Sequence, residues 1–539
     1  MRKEDRERAV VEVVSRVVEE LRQGAASKGG ASIEDVLADT LFTERQRLEK
    51  APKDRASREE RGFYREVRHR LLKASTTEQV ELLRRATDRF AREIVGRFDP
   101  RVYAFTTRVV PVGAGLMLNA ISPLSLLSQL PDLPNLRQRV LIRGATDTLM
   151  SLAKRGTVLL TPTHLSNMDS IILGYSLYLL GLPPFTYGAG LNLFTNPLLS
   201  FFMHNLGAYK VDRRKKADLY KRVLKEYATV SMEYGYHNLF FPGGTRSRSG
   251  EVESRLKLGL LGCGLRAYIN NLRRRAQHPD VFIVPCTLSY GLVLEAKTLI
   301  DDHLQEAGKS RYIIEDDEFS RPRQILQFTR ELISLDARIV MHVSEPLDVF
   351  GNHVLPDGTS VDARGRPLQV SRYVLTDQGP DFEEQRDGEY TREAGLAVVR
   401  RLHRDATFMS THLLAFAVFG LLRSQTMDRD LFRFLRTADE LGGVSLDDVH
   451  PALERLLEAL RQRIREGRLS DCALPFARDP QAVVAEGLRY FGTYHEPPAL
   501  ERRGDRLFCG DAKLLYYYRN RLSGLDLEPV IDQRLKESA

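Results

Sequence analysis

Cysteine, tryptophan and long apolar runs are scarce in this chain of 539 residues. The four cysteines are too few and too scattered for a disulfide framework or a CxxC-type zinc site, so we expect a reducing, cytosolic compartment. Tryptophan is absent, and the basic residues are not interleaved with stacking aromatics, which argues against nucleic-acid binding. Residues 1–22 lack the apolar core of a secretory signal. With 42% hydrophobic and 28% charged residues, the composition is that of a globular protein.

No stretch contains the 18 or more continuous apolar residues of a transmembrane helix. Three uncharged segments come closest, and prolines or glycines interrupt the first two: residues 109–131, 170–209 and 406–422. We expect these segments to be buried core. The alternative is an interfacial surface that dips into lipid without crossing it.

The pattern of apolar residues divides the chain into regions. Residues 1–100 have the 3.6-residue spacing of helices, and from residue 157 onward short β-branched runs alternate with helical patterns. This alternation predicts an α/β layered domain with a mostly parallel sheet, between about residues 135 and 350. We therefore predict a helical N-terminal region (1–100), an α/β domain (101–350), a connector rich in Gly, Pro and Asp (351–390) and a helical C-terminal region (391–539).

A candidate general-base dyad lies in the segment TPTHLSNMDS. His164 follows a predicted strand, Asn167 is the expected N-cap of the next helix, and Asp169 would lie in the first turn of that helix. A carboxylate there can reach back to the imidazole, fix its tautomer and support the imidazolium. Open α/β sheets place their ligand sites at the carboxyl ends of strands, which is where His164 is predicted.

Two basic segments follow. Between residues 210 and 225 there are eight basic and two acidic residues, and FFPGGTRSRSG then combines glycines, hydroxyls and two arginines after a predicted strand. Glycines let the backbone approach an anion, and arginines bind phosphate in bidentate fashion. The alternatives are a solvated helix face for the first segment and a flexible basic loop for the second. The second segment is not a P-loop, because the GxxxxGK[ST] order is absent.

Other chemistries lack support in the sequence. The GxGxxA of residues 262–267 falls inside a helical pattern instead of after a strand, so a dinucleotide site is not expected. There is no Gly-x-Ser-x-Gly elbow, and no cysteine lies near His164, so no enzyme nucleophile is indicated. The histidines lack metal-ligand spacing, and we expect no metal site.

Taken in order, four segments resemble the glycerolipid acyltransferase family, most closely its bacterial membrane-bound glycerol-3-phosphate acyltransferase branch. TPTHLSNMD is similar to the first block of the family, GAYKVDRR to the second, GGTRSRSG to the third and IVPCTLSY to the fourth. The likeness extends from about residue 100 to 525. It implies catalytic residues and substrate-binding residues at these positions: His164 and Asp169 for catalysis; Ser166, Arg213, Arg214, Gly244, Thr245, Arg246, Ser247, Arg248 and Pro285 for substrate binding.

The resemblance implies a reaction. His164, held by Asp169, would deprotonate the sn-1 hydroxyl of glycerol 3-phosphate, which would attack the thioester of acyl-CoA or acyl carrier protein in a step of phospholipid biosynthesis. The arginines would hold the phosphate, and no cofactor beyond the acyl-donor co-substrate is implied. Alternative acceptors are 1-acylglycerol 3-phosphate and dihydroxyacetone phosphate.

One position departs from the family pattern. The third block usually carries Glu directly before its first glycine, and here that position is Gly243. Plastid soluble enzymes of the wider family are similar in lacking this Glu. The change therefore allows either an active enzyme or a catalytically weakened lipid-binding or scaffold protein.

The net charge is +8, from 80 Lys and Arg against 72 Asp and Glu. We expect residues 213–216, 246, 248 and 273–275 to concentrate positive charge around the site, where substrate phosphate and lipid headgroups would account for it. The expected partners are glycerol 3-phosphate, an acyl donor and an anionic membrane surface. The expected location is the cytoplasmic face of the inner (plasma) membrane, without a transmembrane helix; the sequence does not indicate an oligomeric state.

Overall fold

The computed structural model describes residues 1–26, 30–52, 54–104, 140–190, 205–307, 338–426, 430–476 and 479–531. Four helices form the N-terminal region: α1 (Lys3–Ala26), α2 (Ile33–Glu49), α3 (Arg55–Leu71) and α4 (Thr76–Ile94). Capping boxes begin two of them, because Ser32 and Asp35 at α2, and Ser75 and Glu78 at α4, exchange side-chain and backbone hydrogen bonds.

The central region contains a seven-stranded sheet with strand order β1-β7-β6-β2-β5-β3-β4. Five neighbouring strands run parallel, whereas β7 is antiparallel to β6, and β1 is parallel to β7. The strands are β1 (Val140–Gly144), β2 (Thr157–Pro162), β3 (Thr186–Gly190), β4 (Ala208–Val211), β5 (Asn238–Leu239), β6 (Val281–Tyr290) and β7 (Ile339–Val343). The predicted α/β class with a mostly parallel sheet is confirmed.

Helices alternate with these strands: α5 (Thr146–Leu152), α6 (Asp169–Leu179), α7 (Asp218–Glu233), α8 (Leu258–Arg273) and α9 (Ala296–Ala307). Short strand pairs follow in the predicted connector: β8 (His353–Val354) with β9 (Ser360–Val361), and β10 (Leu375–Thr376) with β11 (Gly379–Pro380).

The C-terminal region is mainly helical: α10 (Glu384–Arg404), α11 (Ser410–Ser424), α12 (Leu431–Thr437), α13 (Leu446–Arg465), α14 (Pro480–Phe491), α15 (Ala512–Arg519) and α16 (Glu528–Ile531). It also contains a three-stranded antiparallel sheet that the sequence analysis did not predict: β12 (Val444–Ser445), β14 (Arg506–Cys509) and β13 (Leu500–Arg503), in that order.

Two large apolar clusters stabilise the described part of the chain. One joins the central sheet to the C-terminal helices, and the other joins the N-terminal helices to α7. Helix α7 contributes to both, with Ala228 and Met232 in the first cluster and Val223 and Tyr227 in the second. Burial on both sides of α7 thus attaches the N-terminal region to the sheet.

Of the three uncharged segments, residues 406–422 lie mostly in α11, which is almost entirely buried and packs against α13, α14 and α15. This segment is core, as expected. Residues 109–131 lie outside the described residues, and so do residues 191–204 of the second segment. In the described ranges, no helix is both long enough and apolar enough to span a membrane.

Candidate active site

The predicted dyad lies at the carboxyl end of β2. His164 Nδ1 is 2.7 Å from Asp169 Oδ2, and Asp169 is the first residue of α6 and fully buried. The imidazole stacks on the ring of Phe241, with 3.9 Å between centroids and 18° between planes. The His164 side chain is 16% exposed, and its Nε2 has no hydrogen-bond partner among the described residues. Within the described residues, no other group therefore occupies the nitrogen that would accept a proton.

Buried hydrogen bonds fix the Asp169 carboxylate. Oδ2 accepts the backbone N–H groups of Leu165 (2.7 Å) and Ser166 (3.0 Å), and Oδ1 accepts the Tyr290 hydroxyl at 2.5 Å. Burial, with the charge of Asp169 beside it, raises the pKa of Tyr290 well above its ordinary value, so the phenol stays a donor. These three donors hold the carboxylate in place, so that its Oδ2 orients the imidazole.

Asn167 is not the N-cap of α6. The capping position is Met168, which makes no side-chain cap hydrogen bond. The amide N–H of Asn167 is instead bound by Oε1 of the buried Glu295 at 2.9 Å, and the preceding amides are bound by Asp169. The carboxylates of Asp169 and Glu295 thus accept the backbone N–H groups before α6, as the side chain of a cap residue would. The local sequence could not show the part of Glu295.

The arginine loop, residues 240–257, follows β5 and holds the glycine-rich segment against His164. The Ser247 amide N–H donates to the His164 carbonyl at 2.7 Å. Gly244 has φ +78°, a conformation that favours glycine, and its carbonyl accepts a hydrogen bond from Arg213, which follows β4. The ends of β2, β4 and β5 thus bring the first three blocks of the sequence together.

Three arginines form a positive cluster, Arg246 and Arg248 in this loop and Arg213 beside it. Burial lowers the pKa of Arg213, and the positive charges of Arg246 and Arg248 lower it further. Arg246 Nη1 is 3.4 Å from Glu295 Oε1, and Arg248 Nη1 is 2.7 Å from Oε2 of the exposed Glu306 on α9. Like charges gathered in this way favour a bound anion, and arginine suits phosphate geometry.

The other predicted loop residues have different environments. Thr245 is exposed. The Ser247 hydroxyl donates to the Glu251 carbonyl at 2.9 Å, so it stabilises the loop. The Ser166 hydroxyl is buried and donates to Glu295 Oε2 at 3.1 Å, which directs it away from solvent.

Two predicted substrate-binding residues lie outside the arginine cluster. Arg214 turns to Asp212, with Nε to Oδ1 at 3.0 Å and Nη2 to Oδ2 at 3.1 Å. Pro285 is buried inside the central sheet, where it pairs with Thr161 of β2.

Fewer basic residues contribute positive charge at the site than the sequence suggested. Lys215 is 1% exposed in its side chain and is surrounded by three carboxylates of the N-terminal helices: Glu44, Glu60 and Glu93. Arg273 and Arg274 lie at the end of α8, about 24 Å along a 16-residue helix from its start near the arginine loop. They pair there with Asp381, and with Glu12 and Glu233. The expectation that these residues add charge at the site is wrong, because acidic partners distant in sequence neutralise them.

Four further residues lie at or next to the site and were missed from sequence. Tyr290 binds Asp169, Glu295 binds the loop after His164, and Glu253 accepts the His164 amide N–H at 2.7 Å. Arg521, 2% exposed, donates to the Leu288 carbonyl at 3.0 Å. Burial lowers its pKa, against the opposing negative charges of Glu253 and Asp169.

The available sequence signals for these residues were weak. Tyr290 ends the segment IVPCTLSY that resembles the fourth block of the family, and Arg521 lies near the end of the region of likeness at about residue 525. The two glutamates stand in no motif. Only the fold brings them to the site.

Comparison with known proteins agrees with this geometry. Residues 145–289 match the protein-family model described as Acyltransferase. This range contains the dyad and the arginine cluster. In the described residues, no group of three or more His, Cys, Asp or Glu is arranged to hold a metal ion.

Curated relatives carry the name glycerol-3-phosphate acyltransferase. The one from Pseudomonas fluorescens strain SBW25 is 27% identical over 292 residues, which are 53% of this chain and 31% of the relative. The one from Pseudomonas putida strain KT2440 is 26% identical over 387 residues, 71% of this chain and 40% of the relative. The matched segments thus cover less than half of these relatives' own length. Residues 145–289 are thus similar to an acyltransferase domain, and the matched part of the chain is similar to these glycerol-3-phosphate acyltransferases.

A solved structure is also similar, that of the 1-acyl-sn-glycerophosphate acyltransferase PlsC from Thermotoga maritima. The match has 15% identity and a TM-score of 0.24, and covers 56% of this chain and 93% of that chain.

Proposed function

We propose that this chain transfers a fatty acyl group from acyl-CoA or acyl carrier protein to the sn-1 hydroxyl of glycerol 3-phosphate. The observation that carries the proposal is the arrangement of His164 beside the cluster of Arg213, Arg246 and Arg248. The first lies after β2 and the others after β4 and β5, and the Ser247 amide links the arginine loop to His164. A base and an anion site on adjacent loops suit an acceptor that carries both a hydroxyl and a phosphate.

The reaction follows from this geometry. His164 Nε2 takes the proton of the acceptor hydroxyl as its oxygen forms a bond to the thioester carbonyl carbon. The C–S bond then breaks, and the thiolate of the donor leaves and takes the proton back from the imidazolium. Asp169 stabilises the imidazolium in between, and the arginines orient the hydroxyl by holding the phosphate. The substrate supplies the nucleophile.

The names of the relatives favour glycerol 3-phosphate over 1-acylglycerol 3-phosphate and dihydroxyacetone phosphate. The test supplies the three acceptors in turn to the purified full chain with one radiolabelled acyl-CoA, and then with acyl carrier protein. We expect glycerol 3-phosphate to give the highest kcat/KM and His164→Ala to abolish transfer. Equal product from His164→Ala and the unaltered chain would contradict the dyad. Lipid binding without transfer by the unaltered chain would favour the scaffold alternative.

We further propose that the protein works on an anionic membrane at the cytoplasmic face of the inner membrane. Two observations support this: Arg213 is exposed beside the site, and Tyr178, near the end of α6, is 40% exposed. The test is flotation with vesicles of phosphatidylglycerol and phosphatidylethanolamine, with neutral phosphatidylcholine vesicles as control. We expect binding to the anionic vesicles that weakens with salt. Protein that stays at the bottom of both gradients would contradict the proposal.

A further inference from the structure

Position 243 and Glu253 share one space in the site. Gly243 has no side chain, and a Cβ placed on it would lie 3.0 Å from Cγ of Glu253 and 3.6 Å from its Oε1. A separation of 3.0 Å between such carbons is shorter than van der Waals contact. The side chain of Glu253 therefore fills the space where a side chain at position 243 would begin.

The arginine loop closes on itself and thereby places Glu253. The Lys257 amide donates to the Pro242 carbonyl at 2.7 Å, which brings the end of the loop back to its beginning. Glu253 lies ten residues after Gly243 in sequence but next to it in space. The second half of the loop thus places the carboxylate of Glu253 beside Gly243, which has no side chain of its own.

The Glu253 carboxylate acts on the backbone of His164. Oε1 accepts the His164 amide N–H at 2.7 Å, while the His164 carbonyl accepts the Ser247 amide N–H at 2.7 Å. The arginine loop thus holds the His164 residue on both sides of its backbone. The base is thereby tied to the same loop that carries Arg246 and Arg248.

The position of this carboxylate costs free energy. Glu253 as a whole is partly exposed, but its Oε2 is inaccessible to solvent and has no hydrogen-bond partner among the described residues. Burial raises the pKa of Glu253, against the His164 amide and the positive charge of Arg521. Arg521 itself has buried Nε and Nη1 atoms without partners in the described part of the chain. A carboxylate whose only role was to stabilise the fold would be expected to have both oxygens hydrogen-bonded.

We propose that Glu253 supplies, from the second half of the loop, the site carboxylate that the family pattern carries at position 243, and that it positions the His164 base. The proposal rests on the proposed function, because positioning the base has its effect in acyl transfer. Glu253 is a positioning residue: it holds the His164 backbone, and its negative charge favours the imidazolium that forms when Nε2 takes a proton. Gly243 complements Glu253, since a Cβ at position 243 would lie 3.0 Å from Cγ of Glu253 and press against it.

The test exchanges the two positions in the full-length chain. We compare Glu253→Ala, Gly243→Glu and the double variant Gly243→Glu/Glu253→Ala with the unaltered chain. Glu251→Ala is the matched control, because Glu251 is an exposed glutamate of the same loop whose hydrogen bonds to Ser247 and Ser249 use its backbone. We expect Glu253→Ala to lower kcat about 10-fold or more with the KM for the phosphate acceptor within about twofold.

The two variants with position 243 altered distinguish a replaced carboxylate from a general structural role. Gly243→Glu alone should lose activity because two side chains compete for one space. The double variant should regain at least a third of the kcat of the unaltered chain, since it keeps one carboxylate in that space. A kcat of Glu253→Ala within twofold of the unaltered chain, or a double variant no better than the single ones, would overturn the proposal.

A second measurement does not depend on activity. In protein labelled with 15N-histidine, hydrogen exchange of the His164 amide reports the hydrogen bond to Glu253. Exchange should be at least 10-fold faster in Glu253→Ala, unchanged in Glu251→Ala and slowed again in the double variant. An unaltered chain that transfers no acyl group to any acceptor would contradict the proposed function. The placement of the carboxylate would then be decided by exchange alone, and equal rates in Glu253→Ala and the unaltered chain would overturn it.

Discussion

The hydroxyl of Tyr290 donates to Oδ1 of Asp169 at 2.5 Å, and the other oxygen of the same carboxylate faces the His164 imidazole. This contact depends on the length of β6. The strand pairs with β2 only as far as Cys286 and continues to Tyr290 against β7. The end of β6 therefore passes beyond the end of β2, where the dyad lies, and its last side chain completes the hydrogen bonds of Asp169.

Replacing Tyr290 by Phe removes this hydrogen bond and leaves the ring. Hydrogen bonds to charged groups contribute about 1.5–3 kcal/mol, so we expect kcat for acyl transfer to fall about 10-fold or more. Tyr517→Phe is the control, because the hydroxyl of that buried tyrosine has no hydrogen-bond partner in the described ranges. Similar kcat values for the two variants would show that the Tyr290 hydroxyl does not support Asp169.

Replacing Arg213 by Ala tests the arginine cluster. Its guanidinium donates to the Gly244 carbonyl and lies close to the positive charges of Arg246 and Arg248, so we expect the KM for the phosphate acceptor to rise about 10- to 100-fold. Arg214→Ala is a matched control from the next position, where the side chain is bound to Asp212. Its KM should stay within about twofold of the unaltered chain. An equal rise in both variants would indicate a nonspecific effect of charge.

Replacing Lys215 by Met tests how the N-terminal helices are attached to the central region. Burial lowers its pKa, but the carboxylates of Glu93, Glu44 and Glu60 raise it overall, so the residue is a buried cation. Lys215→Met removes the cation beside Glu93, whereas Glu44 and Glu60 keep their ion pairs with Arg47. We expect the free energy of unfolding, measured by urea denaturation, to fall by about 3 kcal/mol. The exposed neighbour Lys216, changed to Met, should alter it by less than about 0.5 kcal/mol. A small effect of Lys215→Met would mean that the carboxylates find other donors.

The lowered pKa of His237 predicts how the free energy of unfolding depends on pH. Burial lowers its pKa to about 4, and its Nδ1 accepts the Val158 amide N–H at 3.1 Å. Between pH 6.5 and 4 the unfolded chain binds a proton that the folded chain does not. Stability from this residue is therefore complete above pH 6.5 and is lost as the pH falls to about 4.

Through His237, the free energy of unfolding should fall by about 3 kcal/mol as the pH decreases from 6.5 to 4. We expect His237→Asn, which keeps an acceptor for Val158, to flatten this part of the unfolding free energy between pH 7 and pH 4. His69→Asn, at an exposed histidine of α3, should leave the pH dependence unchanged. Parallel pH curves for the unaltered chain and His237→Asn would contradict the assignment.

Much of the fold could be predicted from sequence, because its signals are local. The alternation of β-branched runs with helical spacing predicted the α/β class and the mostly parallel sheet, and the structure has both. The three-stranded sheet of the C-terminal region was missed. Its strands are two to four residues long, and β12 lies more than fifty residues before the hairpin of β13 and β14 along the chain. Such short segments give no clear periodicity.

For the candidate site, the sequence by itself determined which chemistry is available: an imidazole, a carboxylate five residues later and arginines after two strands. The tertiary structure decided which of these residues lie together at the site. Arg213 and Arg214 are adjacent and chemically alike, yet one joins the cluster and the other binds Asp212, because backbone direction after β4 decides what each can reach. For the same reason, Lys215 pairs with Glu44 of the N-terminal helices and does not join the cluster.

Only the tertiary structure decided where the remaining carboxylates lie. The sequence shows that position 243 is glycine, but it does not show that Glu253 returns to the same space, that Glu295 binds the loop after His164, or that Arg521 is buried nearby. These groups are 89, 131 and 357 residues from His164 along the chain. Their contacts arise from the packing of sheet, loop and C-terminal helices, and the local residue pattern carries no record of such distant pairings.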